Sequence, residues 1–254
     1  MLLLLRIFPF LLVLTLIGSW AALFWLAAPP LLVILITCLV SLFLLAGLAG
    51  WSFKKSDFWF LLGIPYFLIL SFFSFLIFLE AGIIKSVAAI LVLLLVWLFA
   101  ENLFNFVHRR GAYQVNALEY LTLVINITSV YFITASLLAS KLFLGLPLWF
   151  LTGVFSLIIF GLVASTFWVC KIEKKKILLL ALSGGVLAGE IFLSLAFLPV
   201  SFLVNAAFIT IFFYLFFGLL RAGLFGKLSA VVWQRYLLAA VIFFVLVAST
   251  ARWT

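Results

Sequence analysis

Long apolar runs, each about as long as a bilayer is thick, recur along the chain and are separated by brief clusters of charge, glycine or proline. Because crossing the hydrocarbon core takes ~20 apolar residues, the pattern predicts transmembrane helices over 7–28, 31–52, 58–80, 83–107, 118–140, 146–169, 177–199, 202–221 and 231–250. Pro29-Pro30 breaks the first pair, Lys54-Lys55-Ser56-Asp57 the second, and the segment from Lys171 to Lys176 separates the sixth run from the seventh. Every connection is short. The expected fold is all-α, a polytopic transmembrane helical bundle of about nine spans forming a single domain over 1–254 with no soluble domain. The main alternative lies between Gly223 and Tyr236, where a short interfacial helix before the last span would leave eight full spans. At the start, one basic residue, Arg6, precedes an apolar run too long for a signal-peptide core, so the run reads as a retained first helix.

Composition strengthens this picture. Hydrophobic side chains make up 70% of the 254 residues and charged ones 8%, with a mean hydropathy of +1.52. A soluble domain is roughly half apolar and a quarter charged. In lipid, by contrast, apolar side chains form the solvent-facing surface and need no core.

The net charge of +9 acquires meaning from its distribution. With the N-terminus inside, the cytoplasmic face receives Arg6, Lys54, Lys55, Arg109, Arg110, Lys171, Lys174, Lys175, Lys176, Arg221, Lys227 and Arg235. The outer face receives Lys85, Lys141 and Arg252. Twelve against three is a strong positive-inside bias and leaves the C-terminus outside. The basic balance is therefore a topology signal, and no nucleic-acid partner is expected. The expected partners are the lipid bilayer, anionic lipids at the cytoplasmic face, and another membrane protein. Short loops and the charge bias point to a bacterial plasma membrane. Trp25, Trp51, Trp59, Trp149, Trp168, Trp233 and Trp253 fall near predicted helix ends, where indole rings favour the headgroup level, while Trp20 and Trp97 lie deeper.

Several chemistries lack their usual residues. The chain has one histidine and six acidic residues, with no HExxH, no Cys/His cluster at zinc spacing, no second haem histidine and no phosphate-binding glycine loop. No metal site, cofactor or catalytic set is expected. Cys38 and Cys170 fall in runs placed at opposite depths and are expected to stay unpaired. The sequon Asn126-Ile127-Thr128 lies inside a predicted span, beyond the reach of glycosylation. No internal repeat marks a transporter of inverted halves.

Polar residues concentrate between Glu101 and Asn126. Glu101, Asn105 and His108, spaced i, i+4, i+7, share one face of the fourth helix; Glu119, Thr122 and Asn126 do the same on the fifth. If these helices are antiparallel neighbours, the stripes pair by depth as His108 with Glu119, Asn105 with Thr122, and Glu101 with Asn126. In the structural reading the stripes are interhelical hydrogen bonds. In the functional one, His108 oriented by Glu119 transfers protons in a cytoplasm-facing pocket while Arg109 and Arg110 hold an anionic lipid headgroup or substrate.

Glu190 is the second candidate, a carboxylate set well inside the seventh run. It would serve as a proton or cation site near Asn205, or as a protonated group bonded across a helix pair. Gly185 with Gly189, and Ala46 with Gly50, are small-residue pairs expected to allow close helix packing. Pro65 is expected to kink the third helix. Three classes remain. A non-enzymatic scaffold or complex subunit comes first, then a small transporter or proton-coupled permease using Glu190 and Glu101/Asn126. Last is a membrane-lipid-modifying enzyme using His108, Arg109 and Arg110.

Overall fold

The computed structural model describes residues 5–25, 29–51, 56–79, 82–109, 111, 113–114 and 116–251. Expectations that fall on Lys54, Lys55, Arg110, Arg252, Trp253 and the Trp25 side chain lie outside these residues. Among the described residues the chain forms α1 (Phe8–Trp25), α2 (Pro30–Leu48), α3 (Ser56–Phe78), α4 (Ile83–His108), α5 (Ala117–Leu144), α6 (Leu148–Val169), α7 (Lys174–Leu195), α8 (Phe202–Leu224) and α9 (Ala230–Thr250). The helices from α2 to α9 are long and apolar enough to cross a membrane, and α1 is apolar over 18 residues. This is the all-α helical bundle of a multi-pass integral membrane protein. Helices suit that solvent because each satisfies its backbone hydrogen bonds internally, and lipid offers no partner for those left open.

Helix ends depart from the apolar runs where local backbone chemistry overrides hydropathy. The second run extends to residue 52, yet α2 stops at Leu48. Gly50 takes φ +79 and Trp51 φ 53, and Trp51 N–H turns back to Ala46 O at 3.0 Å. This left-handed ending is favoured by glycine. Gly50 therefore serves a turn and not the small-residue pair expected with Ala46, and Gly47 instead lies against the Phe8 ring of α1. In the other direction, α7 takes in the exposed Lys174, Lys175 and Lys176, since helical hydrogen bonding continues into the interface where long basic side chains reach water, and α5 extends past its apolar run to take in Lys141. α3 runs continuously through Pro65. Between α8 and α9 there is a turn with Gly226 at φ +65 and no separate interfacial helix; Ser229 caps α9 by accepting from Val232 N–H at 3.3 Å.

The chain clusters into two compact units, Met1–Ile125 and Asn126–Thr254, with the boundary inside α5. In the first, α2 packs on α1 and α3, and α4 packs against all three. Leu45, Leu48, Phe73, Phe75, Phe99 and Phe104 are fully buried there, and the Thr37 hydroxyl donates to Ser19 across the α1–α2 contact. In the second, α6 and α7 form the closest pair, α8 lies against α7, and α9 is fastened to α8. A phenylalanine cluster fills its centre: Phe155 stacks on Phe192 at 4.7 Å and meets Phe213 edge-on at 6.2 Å. Cys38 and Cys170 are both buried and form no disulfide bond with each other.

Candidate functional site

The end of α4 positions Glu101, Asn105 and His108 as the spacing predicted, but His108 finds a different partner. Its Nε2 lies 3.1 Å from Leu48 O, and its ring stands 5.3 Å from that of Phe104. The last carbonyls of a helix lack partners within it. In α2 those of Leu45, Ala46 and Gly47 accept from Ala49, Trp51 and Gly50, which leaves Leu48 O for the imidazole. With Nε2 protonated, His108 donates to that carbonyl. The expected pairing with Glu119 is thus corrected: a fixed, orphaned acceptor on α2 holds the ring. Arg109 ends α4, exposed, with its backbone N–H on Asn105 O at 3.0 Å. Glu101 and Asn105 are half-buried, and the Glu101 carboxylate has no hydrogen-bond partner among the described residues.

On α5, Glu119 occupies the first turn, where a carboxylate is favoured by the helix dipole. Thr122 is buried, and its hydroxyl has no hydrogen-bond partner among the described residues, so the pairing with Asn105 does not form. Asn126, expected opposite Glu101, is fully buried and donates to α6 instead. Its Nδ2 lies 2.7 Å from Thr166 Oγ1 and 3.3 Å from both Ser165 Oγ and Leu162 O. The Ser165 and Thr166 hydroxyls in turn donate to Leu162 O at 2.9 and 2.8 Å. Asn126, buried against α6, is not accessible as a glycosylation acceptor. Sequence reasoning missed the partner, although Ser165-Thr166 stands out in an apolar stretch of α6.

This knot is testable. A side-chain hydrogen bond within a membrane contributes on average ~0.6 and at most ~1.7 kcal/mol. Asn126→Leu should therefore lower stability by about 1 kcal/mol in mixed-micelle unfolding. Thr166→Val should lose most of its own effect in the Asn126→Leu background. Additive losses would mean that the bond carries no energy.

Glu190 departs furthest from expectation. It is exposed on α7, its carboxylate has no hydrogen-bond partner among the described residues, and the proposed neighbour Asn205 is buried elsewhere on α8. The reason is the small-residue face of α7. Gly184, Gly185, Ala188 and Gly189 are buried, so Val186, Leu187, Glu190 and Leu193 turn outward. Gly185 packs on the Ser156 backbone and Gly189 on the Ser156 side chain, within a continuous helix.

Another polar tie escaped the sequence, where Lys141 counted only as an outer-face charge. Its Nζ donates to Ala196 O at 2.9 Å, just past the end of α7, and stands 5.3 Å from the Phe197 ring centre. The signal available was a lysine in the last turn of a helix, a position from which it can reach open carbonyls.

The polar residues are thus dispersed over several helix contacts. Glu101 and His108 do not hydrogen-bond to each other. Among the described residues no three His, Cys, Asp or Glu side chains gather as a metal would require. Compared with protein-family models, with curated proteins and with solved structures, the chain matches none, and a functional reading rests on the contacts above.

Proposed function

We propose that this chain is a non-enzymatic, membrane-embedded scaffold or subunit of a larger membrane complex, lying in a bacterial plasma membrane with its N-terminus in the cytoplasm. The orientation follows from the twelve basic residues on one side against three on the other. The observation that carries the reading is the outward-facing Glu190. Glu190 lies five residues before the end of α7, and a carboxylate facing lipid there carries a share of the ~2.5–3.5 kcal/mol that the insertion scale gives at a helix centre. A polar helix of another subunit donating to it would remove that cost. The other polar residues support the same reading, because His108, Asn126 and Lys141 are engaged in holding helices together. An enzyme built on His108, Arg109 and Arg110 is disfavoured because the imidazole is held by a backbone carbonyl.

The test is single-cysteine accessibility at positions 101, 126 and 190, on a background lacking Cys38 and Cys170, with a membrane-impermeant thiol reagent applied from each side. Silence at all three in folded protein is the expected result. Labelling at 101 and 126 would mean a water-filled pathway and would put a transporter or proton-coupled permease in place of the scaffold.

A further inference from the structure

The second unit contains a cleft of about 270 Å³ between α5, α8 and α9. Its apolar walls include Tyr131 of α5, Ala207 and Ile211 of α8, and Phe243 and Val247 of α9. At Tyr214 the cleft adjoins a second recess that also takes in Tyr236 and Arg235. Gly218 shapes the join. The Tyr236 ring occupies the space a Cβ would need there, and it lies 5.5 Å from the Tyr214 ring.

The charge at this end is of one sign. After Glu190 the sequence contains no acidic residue, while Arg221, Lys227 and Arg235 gather about the α8–α9 turn. Arg235 is exposed and makes no ion pair with a described residue, and the Tyr214 and Tyr236 hydroxyls make no hydrogen bond with one. Arg235 lies five residues into α9, about 7.5 Å along the axis at ~1.5 Å per residue, a depth from which a guanidinium reaches the phosphate level. A volume of about 270 Å³ is too small for a second transmembrane helix, ~10–12 Å across, and suits a stretch of acyl chain.

We infer that this cleft binds one anionic phospholipid from the leaflet that holds the α8–α9 turn, with an acyl chain between α5, α8 and α9 and the phosphate on Arg235 and the two tyrosine hydroxyls. The guanidinium supplies paired donors to phosphate oxygens, and the missing counter-charge comes from the ligand. The inference rests on the membrane location alone and stands whether or not the scaffold reading does.

The test uses the full chain, delipidated in detergent and followed by native mass spectrometry, titrated with phosphatidylglycerol and separately with phosphatidylcholine of the same acyl chains. The first phosphatidylglycerol should bind about tenfold more tightly, because the choline ammonium of phosphatidylcholine offsets the attraction of the same phosphate to Arg235 and its basic surroundings. Arg235→Gln, a change at an exposed position, should reduce the preference to about twofold or less. Lys227→Gln, which removes an equal charge outside the recess, should leave it within about twofold of the original chain. Millimolar inorganic phosphate or glycerol 3-phosphate should not compete. Equal binding of the two lipids, an unchanged preference in Arg235→Gln, an equal loss in Lys227→Gln, or full competition by either soluble phosphate would each overturn the assignment.

Discussion

Gly185→Val should lower the stability of the bundle by about 2–3 kcal/mol, the scale of overpacking a contact that cannot relax. A Cβ at this position would stand 3.0 Å from Ser156 O and 3.4 Å from the Phe160 Cβ, with the main chain of α6 as the wall. Backbone cannot rotate aside, so α7 would have to move away from the helix it contacts most closely. Gly189 offers a contrast, since the atom in its way is the Ser156 hydroxyl oxygen. Gly189→Ala should cost less, and Ser156→Ala should recover most of that loss. Gly153 is the control. It lies within α6 with nothing within 4 Å of a built Cβ, and Gly153→Ala should be neutral or slightly stabilising because alanine is the better helix former. Equilibrium unfolding in mixed micelles measures all four. Equal effects at Gly185 and Gly153 would mean that helix propensity, and not the α6–α7 contact, governs the response.

Phe155→Ala should be the next largest loss, about 2 kcal/mol by the same measurement. In a water-soluble core a buried Phe→Ala change costs ~3–5 kcal/mol, because the transfer of the side chain out of water and the cavity left behind both count. Here the unfolded reference also lies in lipid, where the ring is already out of water, so the transfer share falls away. What remains is the lost packing and the aromatic contacts to Phe192 at 4.7 Å and Phe213 at 6.2 Å. Leu157→Ala, on the exposed face of the same helix, should change stability little. A Phe155→Ala loss at the full soluble-core value would show that the reference state leaves the bilayer.

Much of the fold was legible because a bilayer imposes a one-dimensional rule. The runs 58–80 and 83–107 match α3 and α4 within two residues at each end. The errors arose where hydropathy and backbone conformation part company, at the glycine-terminated end of α2 and the lysines that open α7. The candidate site was legible only in part. Spacing correctly put Glu101, Asn105 and His108 on one helix and Glu119, Thr122 and Asn126 on the next, but the partners were misread. His108 was captured by Leu48 O, 60 residues away, and Asn126 by Thr166, 40 residues away. No local pattern signals an acceptor that exists only because another helix has ended.

By itself the sequence determined the all-α membrane class and the approximate placement of the apolar helices along the chain. Each of these follows from the thickness of the hydrocarbon layer and the cost of charge within it, and each is read along one dimension. The tertiary structure alone decided which face of each helix meets a neighbour. In apolar surroundings hydropathy does not distinguish a buried phenylalanine from one facing lipid, so shape and hydrogen bonding choose between them. For that reason Gly185 and Gly189 turned α7 toward α6, and Glu190, one residue beyond, came to face outward.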